Sequence, residues 1–99
     1  MTEAIEITTF KLANCTCDDF IDANVEIDDW LKRQAGFRSR RLAQWNDGTV
    51  VDMLIWDSAA HGRVAMARLM NEMGHSRVYA MIDQPTVSWS VAPVRHQVF

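Results

Sequence analysis

Cysteine, proline and glycine are all scarce in this chain. Its 99 residues include two cysteines, two prolines and four glycines, and ten Lys and Arg face thirteen Asp and Glu. A zinc site needs four ligands at paired spacings, which Cys15 and Cys17 do not supply, so no metal is expected. The formal net charge of −3 argues against a nucleic-acid partner, because neutralising phosphates needs a basic surface.

Long apolar runs are missing as well. No segment approaches the roughly 20 residues that span a bilayer, which argues against a membrane partner. The first eight residues, MTEAIEIT, lack the basic region and the long apolar core of a signal peptide. A cytoplasmic location is therefore expected, with reduced cysteines. The alternative for Cys17 is a reactive thiol, because the first turn of a predicted helix can lower a thiol pKa.

The most informative stretch is residues 45–58 (WNDGTVVDMLIWDS). Asp47-Gly48 suits the positive φ angles of a two-residue hairpin turn. Residues 49–56 are almost continuously apolar and rich in β-branched side chains, which predicts a strand buried on both faces. Ser58 is placed to cap the helix that follows. In a single domain of this length, a strand covered on both faces requires a partner layer.

Apolar periodicity and caps predict one domain with the order β-α-β-β-α-(α)-β. The predicted strands are residues 4–12, 37–45, 49–56 and 86–94, and the helices are residues 17–35, 59–73 and, as a short turn, 76–82. Gly36 and Gly74 are the expected C-caps. This is the ferredoxin-like α+β pattern: a four-stranded antiparallel sheet with helices on one face. Because the open face is not polar enough to stay in water, a homodimer packed sheet to sheet is predicted.

Several short segments together resemble a known family. They are residues 36–42 (GFRSRRL), Asp47-Gly48, residues 55–58 (IWDS) before an alanine-rich helix, and residues 82–87 (IDQPTV). This set resembles the dimeric α+β barrel superfamily, and within it the antibiotic-biosynthesis-monooxygenase-like group. The resemblance implies a homodimeric barrel, with a small cavity between each sheet and its own helices. It also implies cofactor-independent oxygenase chemistry on aromatic molecules in some members, and haem degradation in others.

The haem-degrading branch fits poorly. That branch uses an Asn on the first strand with a Trp and a His on the second helix. Here residues 4–12 contain no Asn and residues 59–73 contain no Trp. His75 alone lies near the place of the family histidine, so this branch is not expected.

Three residues are candidates for chemistry: Asp52, Asn24 and His75. Asp52 is the one charge in an apolar strand, where a carboxylate is costly unless it is paired. It is either a general base or a structural residue, paired with Arg38, Arg40 or Arg41 on the neighbouring strand or with a group across the dimer. Asn24 lies on the sheet-facing arc of the first helix, where its amide orients a ligand or bonds backbone and water.

A second group could line a pocket for an aromatic or lipophilic molecule: Trp30, Trp56, Met66, Met70 and Tyr79. The alternative for each is ordinary core packing, and for Trp56 the family resemblance favours that alternative. Trp45 and Trp89 are instead predicted in the barrel or the dimer interface. Two functions follow: a cofactor-independent monooxygenase-like enzyme acting on a small aromatic or lipophilic molecule, or a non-enzymatic dimeric module that binds a small molecule.

Overall fold

The computed structural model describes residues 2–99 and consists of one sheet covered by helices on one face. Its elements in chain order are β1 (Ala4–Leu12), α1 (Cys17–Ala23), α2 (Val25–Lys32), β2 (Phe37–Gln44), β3 (Val50–Trp56), α3 (Ala59–Met73), a 3₁₀ turn (Arg77–Met81) and β4 (Ile82–Pro93). The strands lie in the order β2-β3-β1-β4, and all neighbouring pairs are antiparallel. The ferredoxin-like prediction is confirmed, and the bounds of the first strand and the long helix agree with it.

The first predicted helix is in fact two. Residues 17–35 were predicted as one helix, whereas α1 ends at Ala23 and α2 begins at Val25. At this junction the Phe20 carbonyl accepts both the Asn24 side-chain amide at 2.7 Å and the Asn24 backbone N–H at 3.1 Å. The second helix also ends earlier than predicted, at Lys32, and Gly36 (φ +82°) belongs to the turn that leads into β2.

The hairpin between β2 and β3 has a three-residue loop, not the two-residue loop predicted. The Gly48 N–H donates to the Trp45 carbonyl at 2.9 Å, and the Trp45 N–H donates to the Thr49 carbonyl at 2.8 Å. Gly48 takes φ +90°, the left-handed residue that such a loop needs before the second strand. Each strand is one residue shorter at the hairpin than predicted: β2 ends at Gln44 and β3 begins at Val50.

The two faces of the sheet differ sharply in burial. On the helix-facing side of β3, Val50, Leu54 and Trp56 are buried, whereas Val51, Met53 and Ile55 on the other side are half-buried. Within this chain, then, the burial predicted for both faces of β3 is complete on one face only. Ile5 and Ile7 of β1 share the open side, because Ile5 pairs with Ile55 and Ile7 with Met53.

No helix among residues 2–99 is long and apolar enough to cross a bilayer.

Candidate functional site

A cavity of about 290 Å³ lies between the helices and the sheet, open toward the edge strand β4. Its walls are mostly apolar and its polar end is formed by side chains of α1–α2, β2 and β3. The lining residues are Thr8, Phe10, Phe20, Asn24, Ile27, Arg40, Asp52, Met66, Leu69, Met70, Val78, Tyr79, Ile82, Gln84, Val87 and Trp89. Such a volume suits a small organic molecule.

Arg40 organises the polar end of this cavity. Its Nε and Nη2 donate to Oδ1 and Oδ2 of Asp52 at 3.0 and 2.7 Å, which makes a bidentate pair. Its Nη1 donates to Asp28 Oδ1 at 2.8 Å, and its Nη2 also donates to Asn24 Oδ1 at 3.0 Å. Burial is the largest influence on the pKa of Arg40 and lowers it, but the bonds and charges of Asp52 and Asp28 outweigh burial and raise that pKa.

Strand register brings Arg40 and Asp52 together. Arg40 pairs with Leu54, and Leu42 pairs with Asp52, so Arg40 lies diagonally from Asp52 on the same face. Arg41 pairs with Met53 and therefore shares the open face. Of the three arginines offered as structural partners of Asp52, the structure selects Arg40. The Asp52 side chain thus points toward the helices and the cavity, away from the open face.

Asn24 is 1% exposed and fixed at both ends of its amide. Its nitrogen donates to Phe20 and its oxygen accepts from Arg40. Asn24 lies between α1 and α2 on the side that faces the sheet, as the helical projection predicted. Asp52 and Asn24 are therefore brought together, through Arg40.

Glu6 lies next to this polar end, in a smaller adjoining space, although the sequence did not single it out. It is 1% exposed, and its two oxygens accept from the indole N–H groups of Trp56 at 2.8 Å and Trp89 at 2.6 Å. Burial raises the pKa of Glu6, against the lowering effect of these two hydrogen bonds. The sequence carried one signal for it: Glu6 is the one acidic residue in the predicted first strand, residues 4–12.

A smaller chamber of about 50 Å³ adjoins the cavity and reaches Glu6. It shares Thr8, Ile27, Arg40, Asp52, Met66 and Leu69 with the larger cavity. Trp30 and Trp56 line this chamber rather than the main cavity. The two carboxylates of Glu6 and Asp52 thus face one small space with a single guanidinium.

The five predicted pocket residues all border this space. Met66 lines both cavities, Met70 and Tyr79 line the larger one, and Trp30 and Trp56 line the smaller. Burial raises the pKa of Tyr79, so its phenol is a hydrogen-bond donor at neutral pH.

Trp89 is placed differently from its prediction. Thr8 pairs with Trp89, and Thr8 lies opposite Asp52, so the Trp89 ring is on the helix-facing side and lines the cavity. It is not on the open face where a barrel or dimer interface was predicted. The alternation of β4 could not show which of its sides meets the helices.

His75 lies outside this site. It is exposed after α3, beside Val25, Glu26 and Arg77, and lines neither the cavity nor the chamber.

Cys15 and Cys17 are free thiols. Burial raises the pKa of Cys17, whereas an activated thiol has a lowered pKa. Within residues 2–99, no group of three or more His, Cys, Asp or Glu side chains is arranged to hold a metal ion.

Comparison with known proteins matches the chain by structure alone, since no family model and no curated protein matches its sequence. It is similar to SnoaB, a cofactor-independent oxygenase from Streptomyces nogalater, with a TM-score of 0.77 at 17% identity over 99% of this chain and 98% of that one. The ActVA-Orf6 monooxygenase of Streptomyces coelicolor, solved with nanaomycin D, has a TM-score of 0.76 at 17% identity over 99% and 92%. A dimeric ferredoxin-like protein from an uncultured marine organism has a TM-score of 0.73 at 9% identity over 100% and 93%.

The chain therefore shares the ferredoxin-like α+β fold of these proteins. The resemblance inferred from its short motifs is confirmed at the level of the fold.

Proposed function

We propose that the protein is a cofactor-independent, monooxygenase-like enzyme that acts on a small aromatic molecule bound in the 290 Å³ cavity. The observation that carries this proposal is the polar cluster of Arg40, Asp52 and Asn24 at the end of an otherwise apolar cavity. Two proteins of the same fold are described as a cofactor-independent oxygenase and as a monooxygenase in complex with nanaomycin D.

The proposed chemistry uses dioxygen and a substrate carbon made acidic by flanking aromatic rings. A base removes a proton from a ring CH₂ group, and the carbanion is electron-rich enough to react with O₂ directly. One oxygen atom becomes a carbonyl oxygen, and the other leaves as water with the two displaced hydrogens. Such a reaction needs an apolar pocket, a proton acceptor and a donor for the developing negative charge.

The residues of the cluster suit these three tasks. A carboxylate has about four lone-pair sites, and Arg40 occupies only two of those on Asp52, which leaves Asp52 able to accept a substrate proton. Arg40 stabilises the anion that forms, and Asn24 orients Arg40. Met66, Met70 and Tyr79 would enclose the ring system, with Tyr79 as a neutral hydrogen-bond donor.

We further propose that the protein works as a homodimer through its open sheet face, in the cytoplasm. The half-buried Val51, Met53 and Ile55 lie on that face with Ile5 and Ile7, a continuous apolar surface suited to an identical sheet. A dimeric ferredoxin-like protein shares the fold, which supports this assembly.

Oxygen uptake tests the enzymatic proposal. The purified protein is mixed with anthrone-like and quinol substrates, and the rate is compared with that of an Asp52→Asn variant whose fold is verified by circular dichroism. A large loss of rate in the variant supports Asp52 as the proton acceptor. Equal rates would exclude that role.

One observation favours a non-enzymatic binding module as the second candidate. Every buried side-chain nitrogen and oxygen within residues 2–99 has a hydrogen-bond partner, so the polar cluster is already satisfied without a substrate. Such a module would bind the same aromatic compounds, as seen by native mass spectrometry, and would leave the oxygen concentration unchanged.

A further inference from the structure

We propose that Glu6 is a positioning residue, which holds the Trp89 ring in place as a wall of the ligand cavity. This inference rests on the proposed ligand site, but it concerns the shape of that site rather than the reaction.

The geometry shows a carboxylate shared by two indoles. Glu6 Oε1 accepts from Trp56 Nε1 at 2.8 Å, and Oε2 accepts from Trp89 Nε1 at 2.6 Å. Indole N–H groups can only donate, so a carboxylate is a suitable partner for both. Among residues 2–99, Glu6 forms no salt bridge, and its hydrogen bonds are therefore committed to these rings.

The two rings depend on Glu6 to different degrees. Trp56 is 1% exposed and makes an edge-to-face contact with Phe37, so packing fixes its orientation. Trp89 is 42% exposed, on a strand that pairs with β1 alone. Packing restrains Trp89 less than it restrains Trp56, and the Glu6 bond adds a restraint. Loss of the Glu6 carboxylate should therefore change the orientation of the Trp89 ring more than that of the Trp56 ring.

The position of Trp89 sets the shape of the cavity. Its ring lines the same space as Tyr79, Met70 and Val87, near the mouth where Val87 is 39% and Met70 is 52% exposed. An indole free to turn has to be ordered again whenever a ligand binds, and that ordering reduces affinity. We expect about a three- to tenfold weaker affinity when the bond is removed.

Nuclear magnetic resonance tests the link directly. The four tryptophans give four indole N–H signals, and a Trp89→Phe variant assigns that of Trp89. In Glu6→Gln the Trp89 and Trp56 signals should move, while the Trp30 signal, whose N–H is bonded to Glu72, should stay. An unmoved Trp89 signal would overturn the proposal.

Calorimetric binding of aloe-emodin, a flat uncharged anthraquinone, tests the consequence. Glu6→Gln and Trp89→Phe should each weaken binding three- to tenfold, by about the same factor, and the double variant no further than either. Glu3→Gln is the matched control, since Glu3 contacts Arg38 and Gln97 outside the cavity. Weaker binding caused by Glu6→Gln within the Trp89→Phe background would overturn the proposal.

Two further outcomes remain interpretable. If Glu6→Gln does not fold, Trp89→Phe is decisive in one direction: it keeps a flat aromatic ring but loses both the anchored N–H and part of the cavity wall, so unchanged affinity in that variant overturns the proposal. If the native protein does not bind aloe-emodin, the proposed ligand class fails for this compound. The resonance comparison still decides whether Glu6 holds Trp89.

Discussion

Arg40 donates to both carboxylate oxygens of Asp52 across neighbouring strands, at 3.0 and 2.7 Å. The side chains are 11% and 12% exposed, so the pair is nearly removed from water. Each charge is therefore stabilised mainly by its partner rather than by water, and either charge left alone would be buried without compensation.

Removal of one partner should therefore lower the free energy of unfolding more than removal of both. We expect Arg40→Met to lower the free energy of unfolding by about 3 kcal/mol, since it leaves Asp52 and Asn24 without their donor. The double variant Arg40→Met, Asp52→Leu should recover a large part of that loss. Urea unfolding followed by circular dichroism measures both values. A double variant less stable than Arg40→Met would contradict this account.

Two glycines with positive φ form a matched pair for a second prediction. An alanine Cβ at Gly36 (φ +82°) would lie 2.4 Å from His61 Cγ, whereas at Gly48 (φ +90°) it would meet no atom within 4 Å. Both substitutions add backbone strain of about 1–2 kcal/mol, but only Gly36→Ala adds a clash. Urea unfolding should show the larger loss at Gly36, and His61→Ala should relieve only part of the difference, because the His61 Cβ itself would lie 2.8 Å from the added atom. Equal losses at the two glycines would mean that the backbone of Gly36 or of the first turn of α3 shifts at little cost.

The open sheet face yields a third prediction. Met53→Lys places a positive charge on the apolar face, between Ile7 and Arg41, where no opposite charge pairs with it across the neighbouring strands. We expect the native chain to have twice the monomer mass in light scattering after size exclusion, and Met53→Lys to shift it to the monomer mass. Val64→Lys, on a helix residue that is 59% exposed, should leave the assembly unchanged. A monomeric native chain at micromolar concentration would refute the homodimer.

Glu6 makes stability depend on pH in a specific direction. Burial raises its pKa above the ordinary 4.5; the charge of Asp52 adds to this, and that of Arg40 and the bonds with Trp89 and Trp56 oppose it. The folded chain thus holds the proton more tightly than the unfolded chain, and stability is lost as pH rises from 4.5 through the folded pKa.

Comparison with Glu6→Gln, which cannot titrate, isolates this contribution. The melting temperature of the native chain should fall relative to that of the variant as pH rises above 4.5. Glu3→Gln, at a partly exposed position, serves as the control. A constant difference between the native chain and Glu6→Gln over this range would show that Glu6 has the same pKa in both states.

The sequence predicted the elements well because their signals are local. Alternation defined β1, and Ser58 with apolar periodicity defined α3. The interruption at Asn24 was missed, since the apolar periodicity runs through it and the side-chain bond to Phe20 that marks it is not visible in the sequence.

The candidate site depended on register, which the sequence does not specify. Asp52 was recognisable as one charge in an apolar strand, but its partner among three arginines followed only from the pairing of β2 with β3. Glu6 was missed because the side of β1 that bears Ile5 and Ile7 looks equally suited to the core. The pairing of β1 with β3 decides that Glu6 lies opposite Leu54, on the helix side.

In the proposed homodimer, the apolar face opposite the helices would make the stability of the fold depend on the concentration of the protein. Where folding and association bury the same surface, dilution favours the unfolded chain, and the melting temperature rises with protein concentration. A newly made chain would expose Val51, Met53 and Ile55 until it meets a second copy. Its risk of aggregation would therefore be greatest at low concentrations of the protein, where exposed apolar surfaces of other proteins outnumber second copies of the chain.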